Sequence, residues 1–255
     1  MIGLARMGAS FAAAAASALL WISPVGAGPI GQPLGLAAAM GDLEPFGLQR
    51  TELWASPLLN KWLTLSRRLD DERVQLALCD GDRDHCVSPA ALRLLAIVDQ
   101  GRAKEGRARL GEINRAINLA IRPASDLTQY GEIDVWASPL VTFTHLAGDC
   151  EDYAIAKFMA LRLAGIAAND LRIIILHNTT RDEDHAVVAA RLDGRWLLLD
   201  NERMAMIQDS DARQVRPRFV IDETGISILQ DQPLMAEVSS PPRERQGPGW
   251  ASSRN

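Results

Sequence analysis

The dipeptide Asp193-Gly194 constrains the fold more tightly than any other stretch of the chain. It separates two apolar runs, residues 186–192 and 196–199, and Asp-Gly in that setting signals a two-residue β-hairpin. In this register Leu192 faces Arg195, Val187 faces Asp200 and His185 faces Glu202. His185 and Asp200 then project from one side as diagonal neighbours, roughly 7–8 Å apart at the backbone, within reach of a His–Asp hydrogen bond. A bulged three-residue loop would break that parity. The β-branched run 171–176 and the segments 218–221 and 225–229 read as further strands of the same sheet.

Ahead of residue 170 the apolar period is helical. From Thr51 on, Ser56-Pro57 and Ser88-Pro89 each combine an N-cap with proline in the first turn. Leu58, Leu59, Trp62, Leu65 and Leu69 follow the first at helical spacing; Leu92, Leu94, Leu95, Ile97 and Val98 follow the second. A third run covers 105–121, and 123–146 reads as a loop region. Helices first and an antiparallel sheet after them make an α+β fold. The Leu and Trp positions of these helices are expected in the core and carry no chemistry.

Between the two halves lies Gly148-Asp149-Cys150-Glu151-Asp152-Tyr153, followed by the apolar run 154–161. Asp149 suits an N-cap, Glu151 and Asp152 suit a first helical turn, and Gly165 is a stop signal. Cys150 therefore begins a helix, where free N–H groups and the dipole favour a thiolate. Three adjacent carboxylates push the other way. With His185 and Asp200 from the hairpin, the chain order is Cys, His, Asp. Those residue types suit a nucleophile, a proton carrier, and a carboxylate that fixes the imidazole tautomer. Each also has an inert reading: a core cysteine, a structural histidine at a strand start, and an aspartate that merely begins a turn.

The first 27 residues carry one charge, Arg6, an apolar stretch over 10–22 and small residues near Ala27. This is the pattern of a secretory signal peptide cut after Ala27; the stretch is short for a spanning helix. Cleavage would move the formal net charge from −5 to −6, because one Arg and no acid is lost. A mildly acidic chain without a basic cluster is a poor nucleic-acid binder. No later segment is apolar enough to span a membrane. Residues 28–50, rich in Gly, Pro and Ala, read as a flexible leader, and 239–255 as a disordered tail. The intervening 51–238 form one domain, with a helical lobe over 51–122 and a catalytic core over 123–238.

Of three cysteines, Cys79 and Cys86 would close a short loop in an oxidising compartment, leaving Cys150 free. The acid-rich stretch 79–86 does not make a calcium loop. Counted from Asp80, position six is His85 instead of Gly and position twelve is Ala91 instead of Glu. A solvated acidic turn is the better reading.

The motif Gly-Asp-Cys-Glu-Asp-Tyr with Ala154-Ile155-Ala156-Lys157, and Asp134-x-Trp136-x-x-Pro139 upstream, resembles the bacterial transglutaminase-like cysteine proteinases. So do His-Ala-Val-Val at 185–188, Leu199-Asp200-Asn201, and Asn114, Asn118 and Asp126 as an Asn-x-x-x-Asn…Asp pattern. The Cys79–Cys86 spacing is similar to an exported branch that includes the periplasmic LapG-type adhesin-releasing proteases. The resemblance implies a papain-like or transglutaminase-like core, with Cys150, His185 and Asp200 as catalytic triad. It also implies calcium held by Asp149 and Glu151, with Asp152 as a further candidate, so that the ion would neutralise the acids around the thiol. A surface adhesin as substrate and an inner-membrane cyclic-di-GMP receptor as regulator are the partners it implies, with the periplasm as location. Two other readings share these residues: a transglutaminase using an amine in place of water, and a non-catalytic calcium-responsive binding module. Trp136 is expected to line the cleft, and the Cys150 N–H to supply an oxyanion donor.

Overall fold

The structure is a computed structural model that describes residues 43–231. The signal segment, the leader up to residue 42 and the tail from 239 lie outside the described residues. Helices α1 (Pro57–Gly81), α2 (Pro89–Arg102) and α3 (Gly106–Ala120) come first after a short strand β1 (Gln49–Glu52). Ser56 and Ser88 cap α1 and α2 as their sequence predicts: each hydroxyl accepts the N–H three residues on, with proline behind it. Cys79 near the end of α1 and Cys86 before α2 are joined by a disulfide. It ties the turn between the two helices.

The region expected as loop holds two short helices, α4 (Asp126–Tyr130) and α5 (Pro139–His145), and a two-residue parallel pair, β2 (Arg122–Pro123) with β3 (Ala147–Gly148). Serines at 125 and 138 hold the N-cap positions of these helices, with Pro139 in the first turn of α5. Helix α6 (Cys150–Leu163) follows, with every residue from Asp152 to Leu161 buried. A helix covered on all sides is the core of its domain.

The remaining strands are β4 (Leu171–Asn178), β5 (Glu183–Leu192), β6 (Arg195–Leu199), β7 (Ile207–Gln208), β8 (Val215–Asp222) and β9 (Gly225–Gln230). They form an antiparallel sheet in the order β1-β9-β8-β4-β5-β6-β7. The β5–β6 hairpin has the predicted register, Leu192 opposite Arg195 and Val188 opposite Leu199. Asp193 and Gly194 both have positive φ, 50° and 75°, the requirement of the turn that matches strand twist.

One sheet face packs on the helices. Ala186, Val188 and Ala190 of β5 join α6 in the main core, while Val187 and Ala189 point into a second cluster with Ile174, Leu176, Trp196 and Leu198. Residues 43–50, the end of the stretch expected as leader, help cover that second face, and Thr51 and Glu52, where a helical pattern was expected to begin, are strand. Phe46 and Leu48 cover the second cluster, the Trp196 indole donates to the Leu43 carbonyl at 3.1 Å, and buried Glu44 pairs with Arg172 at 2.7 Å. Residues 49–52 pair with β9. The sheet's second apolar face needs this cover, and Phe46 and Leu48 supply it from a Gly/Pro-rich stretch.

Candidate active site

Cys150 opens α6 with its thiol partly buried. Sγ donates to the Glu151 carboxylate at 3.0 Å, and the Ala186 backbone N–H of β5 lies against the sulfur. Burial, then the charge and hydrogen bond of Glu151, push this thiol far up from its ordinary value, and the Ala186 N–H opposes them. The thiol is turned to its neighbouring acid.

His185 is one residue before Ala186. Its Nε2 lies 2.8 Å from Asp200 Oδ1, the pair expected from the hairpin register. Burial works against the Asp200 charge, but the His185 hydrogen bond and charge, the Glu202 N–H and the Lys157 ammonium together hold its carboxyl below the ordinary range. The loop carrying Asp200 is clamped from α3: the Asn118 amide donates to the Asp200 carbonyl at 2.9 Å, and Asn114 to the carbonyls of Arg203 and Met204. This is the structural work of the Asn-x-x-x-Asn spacing. One helical turn brings both amides to one loop.

His185 and Asp200 line a cavity of ≈ 290 Å³ with Leu176, Val187 and Leu198, on the sheet face away from α6. Among the described residues no hydrogen bond joins the thiol to the imidazole. The Ala186 amide that acts on the sulfur and the imidazole that pairs with Asp200 belong to adjacent residues at the start of β5.

Behind the thiol the acids regroup. Carboxylate oxygens of Asp126, Asp149 and Asp152 lie within 4.8 Å of one another. Asp126 comes from α4, where its Oδ2 accepts the Val135 N–H at 2.5 Å. Asp152 Oδ1 accepts the Ala137 N–H at 2.8 Å. Asp126 Oδ1, Asp149 Oδ1 and Asp152 Oδ2 are buried without a hydrogen-bond partner. Asp149 occupies the N-cap position yet makes no side-chain cap. Burial and then the neighbouring charges of Glu151, Asp152 and Asp126 push its carboxyl up to about 9; burial, opposed by the Ala137 N–H, takes Asp152 to about 7. Buried oxygens facing one another without donors fit a hard divalent cation with oxygen ligands. Of the three expected ligands the structure thus brings Asp149 and Asp152 together, adds Asp126, and places Glu151 on the thiol. A second close trio, His185, Asp200 and Glu202, is already engaged: His185 with Asp200, and Glu202 with Arg181 at 2.8 Å.

A groove of ≈ 670 Å³ opens beside Glu151, lined by Leu53, Leu58, Trp136, Ile175, Phe219 and Ile228 among others. Trp136 is buried edge-on against Trp62, with the Lys61 ammonium 4.9 Å from its ring centre. It lines this groove, as its place in the motif implies.

The sequence model of a family described as bacterial transglutaminase-like cysteine proteinase matches residues 76–216. Comparison with curated proteins returns no match. Among solved structures the fold is similar to LapG of Legionella pneumophila. That protein is 21% identical with a TM-score of 0.50, over 61% of this chain and 86% of that one. An EGTA-treated form is 20% identical with a TM-score of 0.50, over 62% and 89%. A calcium-bound form is 20% identical with a TM-score of 0.49, over 64% and 87%.

Proposed function

Because the chain belongs to the bacterial transglutaminase-like cysteine proteinases, we propose that it is a calcium-dependent cysteine endopeptidase with Cys150, His185 and Asp200 as its triad. Family membership makes it a cysteine peptidase acting on protein. The observation that carries the residue assignment is the His185–Asp200 hydrogen bond at 2.8 Å, one residue from the amide that touches the Cys150 sulfur. In the proposed cycle the thiol leaves Glu151 for the imidazole, and His185 takes its proton. The thiolate attacks the peptide carbonyl carbon, and His185 returns the proton to the departing amine. Water then hydrolyses the thioester with His185 as base. Asp200 holds the imidazole tautomer and offsets its charge. The Cys150 N–H at the helix start would donate to the oxyanion.

Asp126, Asp149 and Asp152 would hold the calcium; the three partnerless buried oxygens support that set. Bound there, the ion would supply positive charge that offsets the acids crowding the thiol. A protein segment would lie along the apolar groove beside Glu151. The proposal extends to work in the periplasm after removal of residues 1–27, which the Cys79–Cys86 disulfide supports. By resemblance it extends further to a surface adhesin as substrate, under an inner-membrane cyclic-di-GMP receptor. Among the described residues no helix is long and apolar enough to cross a membrane.

The test is cleavage of an unstructured protein linker by the purified protein, with and without chelator, beside Cys150→Ala. Calcium-dependent cleavage lost in the variant supports the reading. Cleavage retained by Cys150→Ala overturns the triad, and amine incorporation without cleavage would transfer the site to transglutaminase chemistry.

A further inference from the structure

Lys157 lies two turns beyond Cys150 on α6, fully buried in a helix whose residues from Asp152 to Leu161 are all covered. Lysine is almost never wholly buried unless it is paired. Here its Nζ has one hydrogen-bond acceptor, the Leu199 carbonyl at 3.4 Å, and stands 5.9 Å from the centre of the Tyr153 ring. A methionine or leucine would fill the same volume without a desolvation penalty. An amine is kept where burial makes its charge expensive, so its surroundings should show what it acts on.

Leu199 is the last residue of β6, and the next residue is Asp200. We propose that Lys157 is a positioning residue for the His185–Asp200 pair, its ammonium tying the helix that carries Cys150 to the strand end that carries Asp200. This rests on the triad reading above. The other groups about it are few. His185 from β5 and Arg203 from the following turn, 2.8 and 3.9 Å from the Asp200 carboxylate, face it from outside. Tyr153 shares the lysine's helix, and α3 contributes the neutral amide of Asn118 on the Asp200 carbonyl. Among the described residues Asp200 is the one carboxylate acting on the ammonium, and it counters the burial that takes Lys157 down to about 7; Lys157 in turn helps hold Asp200 ionised. The arrangement couples two halves of the site through a buried charge. If the helix and the strand end shift relative to one another, both the Leu199 contact and the field on Asp200 change together.

The experiment replaces Lys157 by Met in the calcium-loaded protein. We expect kcat to fall about ten- to a hundredfold with KM unchanged, thermal stability to hold or rise, and the His185 titration followed by NMR to move upward as a nearby positive charge is lost. A folded Lys157→Met with unchanged kcat and unmoved His185 titration overturns the proposal. Should that variant fail to fold, the Lys157 Nζ resonance is titrated in the natural protein and in Asp200→Asn. A downward move of about half a pH unit or more supports the coupling, and an unmoved titration overturns it. The titrations need no turnover, so they separate failure of the coupling from failure of the peptidase reading.

Discussion

His185 Nε2 and Asp200 Oδ1 stand 2.8 Å apart although 15 residues separate them, because a two-residue turn folds β6 back on β5 in one register. Asp200→Asn keeps the shape but removes the charge and reverses the hydrogen-bond preference of the group. Turnover is expected to fall by a factor on the order of 10³–10⁴, as in comparable triads, measured as kcat on a linker substrate.

The same carboxyl predicts a pH signature. Its folded-state value lies below the ordinary 3.8, so the folded protein binds fewer protons there than the unfolded chain does. Its contribution to stability is therefore present above about pH 4 and lost as pH falls through the folded value. Melts of the natural protein and Asp200→Asn between pH 7 and 3 should converge at the acid end. A gap that widens on acidification would contradict the sign.

Calcium binding to Asp126, Asp149 and Asp152 should appear as stabilisation, independent of activity. At a hundredfold excess over Kd the gain is about 2.7 kcal/mol, read as a rise in Tm that EGTA reverses. Asp126→Asn should abolish the rise, since it removes an oxygen the cluster shares. Glu151→Gln should retain most of it, because Glu151 faces the thiol. If instead Glu151→Gln loses the rise and Asp126→Asn keeps it, the ion sits at the pair flanking Cys150 that the resemblance implied.

Reducing or replacing the Cys79–Cys86 disulfide should destabilise by about 2–3 kcal/mol on loop-closure entropy, since the bridge spans a sequence separation of 7. The loss is checked by urea unfolding of the Cys79→Ala/Cys86→Ala double variant. Both positions lie far along the chain from Cys150, so kcat in the folded variant should stay within about twofold.

What the sequence revealed, and what it hid, follows one physical division. The hairpin was legible because Asp193 and Gly194 can take positive φ, and that local turn carries His185 to Asp200. The starts of α1 and α2 were legible because Ser-Pro chemistry is local. Asp126 was recognisable only as part of a motif. Its meeting with Asp149 and Asp152 depends on how α4 packs beside the start of α6, a tertiary fact with no local signal. Phe46 and Leu48 were hidden by the Gly/Pro-rich stretch around them, and their need is set by the far face of a sheet folded more than a hundred residues later. In the sequence Lys157 is the one charged residue of the apolar run 154–161. Only burial on every side of α6 makes it informative.

Gly148 tests the acidic cluster from the backbone side. A Cβ built there would lie 2.6 Å from both Cβ and Oδ2 of Asp152, closer than unbonded atoms can approach. Asp152 is fully buried and anchored by the Ala137 N–H, so it cannot swing aside without giving up that bond and its place beside Asp126 and Asp149. Glycine therefore precedes the Asp-Cys pair because the carboxylate of residue 152 occupies the space a side chain would take. Gly148→Ala should lower Tm, and it should also reduce the calcium-dependent rise in Tm and calcium-dependent turnover. Pairing it with Gly111→Ala, whose added methyl would meet only the end of the Met206 side chain at 3.4 Å, provides a control. That variant is expected to retain its calcium response. An undiminished calcium shift in Gly148→Ala would show that Asp152 is not needed to hold the ion.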